Sequence, residues 1–353
     1  MLRAVMRIKL YLGRYLPFLI AISVFSSCKT DENILAPKEN PYKDEWTIID
    51  TTNSNIPWGG AISIDFENDI AWLVSYPGNY LYSPPRKNKI TRYYGTNWVV
   101  YDQDNGYPTA TPFWKIKVGK SGKVYVGTET GLFIYSNNIW TKENFQSFGL
   151  SSSWIYSVSL DDSNNVWVGT QDGLFKYNQI SWQRVKIDSS EEYFSFGYRL
   201  VNVKNDLFVA MVYGYSGTSE VLYYRKGSTV KIFDATNSIL PERYINTIAI
   251  DNNNAVWVGS NDGLFSYDGL QWAKHGNNFN SRSNLINVIK VDKNNVKWIG
   301  TDGSGVLSFD GNDWQKYDDP FGLGMNGFIE DIGIDNYNNK WLCTLNGLLI
   351  LNK

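Results

Sequence analysis

Residues 155–174, IYSVSLDDSNNVWVGTQDGL, decide the fold. Ser157 to Leu160 alternates polar and apolar side chains, the period of a half-buried strand, here strand a. Asp161 to Asn165 is a turn of residues that tolerate left-handed backbone and hydrogen-bond to their own chain. Val166 to Thr170 reads as strand b, Gly173 to Tyr177 as strand c and Trp182 to Ile187 as strand d. The unit is therefore an antiparallel four-stranded meander.

It recurs. The Trp-Val-Gly-Thr element returns as Trp72-Leu73-Val74-Ser75, Tyr125-Val126-Gly127-Thr128, Phe208-Val209-Ala210, Trp257-Val258-Gly259-Ser260, Trp298-Ile299-Gly300-Thr301 and Trp341-Leu342-Cys343-Thr344. A second marker runs in step with it, at Trp46, Trp98, Trp140, Trp182, Val230, Trp272 and Trp314. A repeat of roughly 40 residues holding several short strands is the signature of a β-propeller, one blade per repeat. The chain stops after Trp341 before any final strand d, while Trp46 precedes every b marker. The N-terminal strand, Glu45 to Ile49, is therefore expected beside Leu348 to Leu351, closing the ring and removing its open edges. The expected architecture is all-β: a seven-bladed propeller of four-stranded antiparallel blades over residues 45–353.

Ile155 to Leu174 and Ile245 to Leu264 resemble the two-component-regulator propeller repeat, roughly I-x-x-I-x-x-D-x-x-G-x-L-W-[IV]-G-T-x-x-G-L, with Asn in place of the turn Gly. The resemblance runs over most of residues 45–353 and is weakest in the first and fourth units. It implies an extracytoplasmic, ligand-recognising propeller of the kind found in hybrid histidine kinases, where carbohydrate-derived signals are sensed. No kinase region or spanning helix follows the propeller, so signalling by that family's route is not expected from this chain alone.

Arg3, Arg7, Lys9 and Arg14 precede an apolar stretch, Tyr15 to Phe25, of about 11 residues, short of the about 20 needed to span a bilayer and of signal-peptide size. Phe25-Ser26-Ser27-Cys28 resembles a bacterial lipobox, apart from Phe25 at a usually aliphatic position. That resemblance implies removal of residues 1–27, a lipid on Cys28 and a membrane anchor without a spanning helix. Lys29-Thr30-Asp31-Glu32 is similar to surface-export signals of Bacteroidota lipoproteins, and residues 28–44 read as a flexible tether. The expected place is the cell envelope, on the outer membrane. Net charge is −2, and loss of the four basic signal residues takes it to about −6, which argues against nucleic-acid binding. A monomer is expected. Cys343 stands where the repeat has Gly and is expected as a buried free thiol.

Of the 14 tryptophans, Trp58, Trp114 and Trp154 are not blade markers and fall just before or at the start of strand a. The start of a and the end of b share one face of a meander, the face of the channel mouth. Phe194, Phe196, Tyr244 and Phe328 occupy the comparable region of later units, and the long b–c insertion of the fourth contributes Tyr213 and Tyr215. The b–c turns add Glu129, Gln171, Asp172, Asn261, Asp262 and Asp302. Aromatics at a mouth suit stacking on sugars or capture of peptide side chains; the competing reading is that they cap the core, with the polar residues serving as ordinary turn chemistry. The one histidine, His275, follows Trp272 in an outer strand and reads as a surface residue. A histidine-based triad or metal site is excluded by count, and no cofactor is expected. Two functions compete: a lipoprotein binding a glycan or protein ligand at the mouth, and a polysaccharide lyase or hydrolase using acidic and tyrosine groups there.

Overall fold

A computed structural model describes residues 38–39, 46–50, 52–54, 56, 60–76, 89–101, 113–143, 145, 154–186, 198–204, 207–213, 220–276, 285–317 and 328–352. The chain divides into two units, Met1–Ile34 and Leu35–Lys353, and the description concerns the second. Glu45 lies outside the described residues.

Every described element is a β-strand. Meanders of four antiparallel strands lie within residues 60–101, 113–143, 155–185, 198–233 and 245–275. A sixth is made of Ile329–Ile334, Lys340–Thr344 and Gly347–Leu351, completed by the N-terminal strand Trp46–Ile49. Trp46 pairs with Leu351 and Ile49 with Leu348, antiparallel, as the marker count required. The expectation of seven uniformly four-stranded blades is corrected by the remaining sheet. Its meander within residues 286–317 carries a fifth strand, Lys38–Glu39, paired parallel to Trp314–Tyr317, so six sheets are four-stranded and one is five-stranded. An outermost strand presents unpaired backbone groups, and a passing segment of chain has taken them up. In the best-read unit, strands b and c fall where expected, strand a starts earlier, at Ile155, and strand d ends earlier, at Val185.

The innermost strands adjoin one another in order, and Ile329–Ile334 lies beside Gly60–Glu67, so the array is a closed ring. Strand b is covered on both faces: Val124–Thr128, Val166–Thr170, Val256–Ser260, Lys297–Thr301 and Lys340–Thr344 are buried at every position. The b markers fill the seams between sheets. Trp72 is wholly buried and meets Tyr135 and Trp140 of the next sheet, at ring centroids 5.1 and 6.4 Å. In several sheets the d marker faces the residue that ends strand c, as in Tyr177 opposite Trp182 and Phe309 opposite Trp314, the latter stacked at 4.5 Å.

Strand a is bulged at the same place in each sheet; the register shifts between Ile155 and Ser157 and likewise between Ile329 and Asp331. A bulge re-aims the neighbouring side chains. Side chains from one sheet then satisfy the inward backbone N–H groups of the next. Ile116 N–H donates to Ser63 Oγ at 3.3 Å, Val118 N–H to Asp65 Oδ2 at 2.9 Å and Ile289 N–H to Thr247 Oγ1 at 3.3 Å.

Candidate functional site at the channel mouth

The mouth is built by the residues just before strand a and just after strand b. Trp154 precedes Ile155, Tyr244 precedes Ile245 and Phe328 precedes Ile329. All three are exposed, at 42%, 60% and 45%. Trp154 meets Tyr156 edge-on, with centroids 5.9 Å apart. Tyr244 adopts a left-handed φ of 67°, costly for a bulky aromatic. Its carbonyl accepts the Asn261 N–H at 3.1 Å, which ties it to the b–c turn of its own sheet. Phe328 forms an isolated bridge with Asp302 of the preceding sheet, and the Asp302 N–H donates to the Leu285 carbonyl at 3.0 Å. Turn residues and aromatics therefore share one end of the ring.

The remaining expected residues divide. Trp58, Phe194, Phe196 and Tyr215 lie outside the described residues. Trp114 is the second residue of Phe113–Val118, so it matches Tyr156 in register rather than Trp154. Tyr213 is the last residue of Leu207–Tyr213, paired with Glu220, because strand b of the fourth sheet runs longer than the motif. The polar residues mostly serve their turns. Asp172 and Asp262 N–H donate to Thr170 Oγ1 at 3.1 Å and Ser260 Oγ at 3.0 Å, while those hydroxyls donate to Gly173 and Gly263 carbonyls. Arg184 also donates to the Asp172 carbonyl. Asn261 Oδ1 accepts from Asn246 Nδ2 at 2.9 Å, and Asn246 also reaches the Ile286 carbonyl of the next sheet. Gln171 is exposed and Glu129 half-buried.

His275 is corrected from a surface residue to a half-buried one. Its ring stacks on Trp257 at 4.7 Å, and its Nε2 lies 2.7 Å from Ser266 Oγ. Cys343 is buried and free, and burial pushes its thiol well up. Among the described residues no group of three His, Cys, Asp or Glu side chains is placed to hold a metal.

Sequence reasoning missed the channel. A cavity of about 430 Å³ runs along the inner strands, lined among others by Asp65, Lys115, Lys117, Ser157, Lys290 and Asp331. Asp331 is buried, with Lys115 Nζ 3.3 Å from Oδ2, Lys290 Nζ 3.4 Å from Oδ1 and Ser63 Oγ donating at 3.0 Å. Burial alone would raise its carboxyl, but Lys115, Lys290 and Lys117 outweigh burial and hold it well below the usual carboxylate range. The signal was there in the charged residues of Lys115-Ile116-Lys117 and Glu330-Asp331, which an inter-blade core does not need.

Residues 149–172 match the family model of the two-component-regulator propeller. This segment is a two-component-regulator propeller repeat. No curated protein matches the chain. Among solved structures, it is similar to PorZ, a surface component of the type-IX secretion system of Porphyromonas gingivalis, at 15% identity and a TM-score of 0.61, covering 83% of this chain and 46% of that one. It is similar to the extracellular domain of the putative hybrid two-component system BT3049 from B. thetaiotaomicron, at 16% identity and a TM-score of 0.62, covering 83% and 40%. Virginiamycin B lyase from Staphylococcus aureus is similar at 9% identity and a TM-score of 0.63, covering 87% and 99%. At these identities the likeness is one of fold. The chain spans less than half the length of the first two.

Proposed function

We propose that this chain is a recognition module whose ligand, a glycan or a protein segment, docks on the aromatic end of the propeller ring. In this reading the five-stranded sheet counts as the seventh blade. The observation that carries it is the exposure of Trp154, Tyr244 and Phe328 at equivalent positions of three sheets, beside the end of a ligand-sized cavity. Large aromatic faces left in solvent at a concave opening suit stacking against sugar faces. Trp58, Trp114, Phe196, Tyr213 and Tyr215 are proposed to extend the same surface, with Gln171, Asp172, Asn261, Asp262 and Asp302 as polar partners. The test is a glycan array followed by titration of the best-bound glycan. A Trp154→Ala/Tyr244→Ala protein should bind it roughly tenfold or more weakly, because each stacked ring contributes about 0.5–1.5 kcal/mol beyond its area. Its melting temperature should be unchanged, since neither residue fills a seam. A lowered melting temperature with undiminished binding would assign these rings to stability. The reading is non-catalytic: a polysaccharide degraded by the purified protein would replace binding with turnover as the function.

The second part of the proposal is place. The basic start, the short apolar stretch and Cys28 support a lipoprotein anchored to the outer membrane, its propeller in the periplasm or at the surface. The fold likeness to a surface component and to an extracellular domain agrees with an envelope location. Cys28→Ala should move the protein from the membrane to the soluble fraction and abolish incorporation of a palmitate analogue; unchanged partitioning would remove the anchor from the proposal.

A further inference from the structure

The channel gathers three lysines around two aspartates. Lys115 and Lys290 share the one carboxylate of Asp331, at 3.3 and 3.4 Å. Lys117 has three N–H donors, yet its ion pair, to Asp65 Oδ2, is long at 3.5 Å. The same Asp65 oxygen is already engaged by the Val118 N–H at 2.9 Å. Three lysines thus face two aspartates along the cavity. Glu330 also lies near Lys115, and burial pushes its carboxyl up.

A second observation at the same cavity is independent of charge. Ser157 is 6% exposed, lines the cavity, and its Oγ has no hydrogen-bond partner. Its counterparts in register, Ser63 and Thr247, both bond the next sheet. A buried hydroxyl left unpaired costs free energy and marks a place where a ligand or water completes the structure. The electrostatics run the same way. Asp65 pulls the Lys117 ammonium up, but repulsion from Lys290, then burial, outweighs it, so its net shift is downward. Two ammonium groups that repel across the cavity favour an anion between them.

We propose that the central channel is an anion site, taking a single carboxylate or sulfate group of a small solute at Lys117 and Lys290, with Ser157 Oγ as a donor. The site lies inside the ring, below the mouth aromatics, and does not depend on what those aromatics hold. An anionic group carried by a mouth ligand and a free small anion share this chemistry.

The experiment is isothermal titration of the full-length protein at low ionic strength with sodium sulfate and, separately, sodium acetate; sodium chloride serves as the control for salt. One of the two anions should bind saturably with one site per chain, and the stronger arm tells sulfate from carboxylate. Lys117→Gln and Lys290→Gln should each weaken it about tenfold or more, the scale of losing one charge-assisted hydrogen bond. Lys290→Arg should retain binding, which separates lost charge from lost fold, and circular dichroism melts check each variant. The Trp154→Ala/Tyr244→Ala protein should bind the anion as the parent does. The proposal is overturned if neither anion binds saturably, if both glutamine variants bind like the parent, or if the mouth variant abolishes binding, which would place the anion at the mouth. A negative glycan array with a positive anion titration would remove the mouth reading and leave this one standing.

Discussion

His275 behaves as an aromatic ring rather than as a base. It is sandwiched between Trp257 and Phe309, with centroids at 4.7 and 5.4 Å, and burial, then the charge of Lys297, push its pKa down to about 4. In the unfolded chain the imidazole titrates near about 6.5. As pH falls from there, the unfolded state takes up the proton first. The stability that His275 contributes is complete above about pH 6.5 and is lost as pH falls to about 4, by up to about 1.4 kcal/mol per unit. The lowered carboxylate of Asp331 acts in a separate window: its contribution stands above its unfolded value and is lost only as pH falls below about 4. His275→Phe keeps the stack and removes the proton. Between pH 7 and 4.5 the melting temperature of the parent should fall more steeply than that of the variant; parallel curves would show that the imidazole is not the group titrating.

At the scale of the element, the turn between strands a and b was the most legible part of the chain, and the structure supplies the reason. Asp161, Asp251, Asp292 and Asp335 each accept the turn's backbone N–H groups, and each also accepts the indole N–H of the b marker at 3.0 to 3.2 Å. The aspartate and the tryptophan six residues later are therefore one unit. The Asn that replaces the family's turn Gly adopts left-handed φ near 64° at Asn164, Asn254 and Asn295. It adds what Gly lacks: Asn164 Oδ1 accepts the Lys120 N–H and Asn295 Oδ1 the Asn252 N–H, each from the preceding sheet. The motif glycine has a similar origin. A Cβ on Gly259 or Gly300 would come within 2.5 and 2.7 Å of Ile286 or Ile329, the first inner residue of the next sheet. Where Cys343 replaces that glycine, the facing residue is Ala61, and both are wholly buried in one cluster. The pairing of large with small across a seam is written in the sequence, but only the register reveals which residues face. The fifth strand at Lys38–Glu39 had no such signal, since two residues carry no period.

At the scale of the whole molecule, closure was legible because it follows from counting: the missing last strand and the extra first one are the same strand. The channel was not, because its charges come from separate sheets. Lys115, Lys290 and Asp331 are brought together by a ring that no local pattern records. Closure also yields the sharpest test of the architecture. Trp46 is 7% exposed and packs edge-on against Tyr317, with centroids 6.3 Å apart, so the N-terminal strand stitches the closing sheet to its neighbour. Without it, Gly347–Leu351, buried at every position, becomes an open edge, the configuration that invites pairing with another chain. Deleting residues 45–49 removes a buried indole, worth about 3–5 kcal/mol by itself, together with four strand pairings. The deletion protein should melt at a clearly lower temperature and self-associate in sedimentation. Moving the same five residues to follow Lys353 through a short flexible linker restores the strand from the other end and should recover most of the stability, because its partner is Gly347–Leu351 in either arrangement. A deletion protein that melts like the parent and stays monomeric would mean that the ring holds without its stitch.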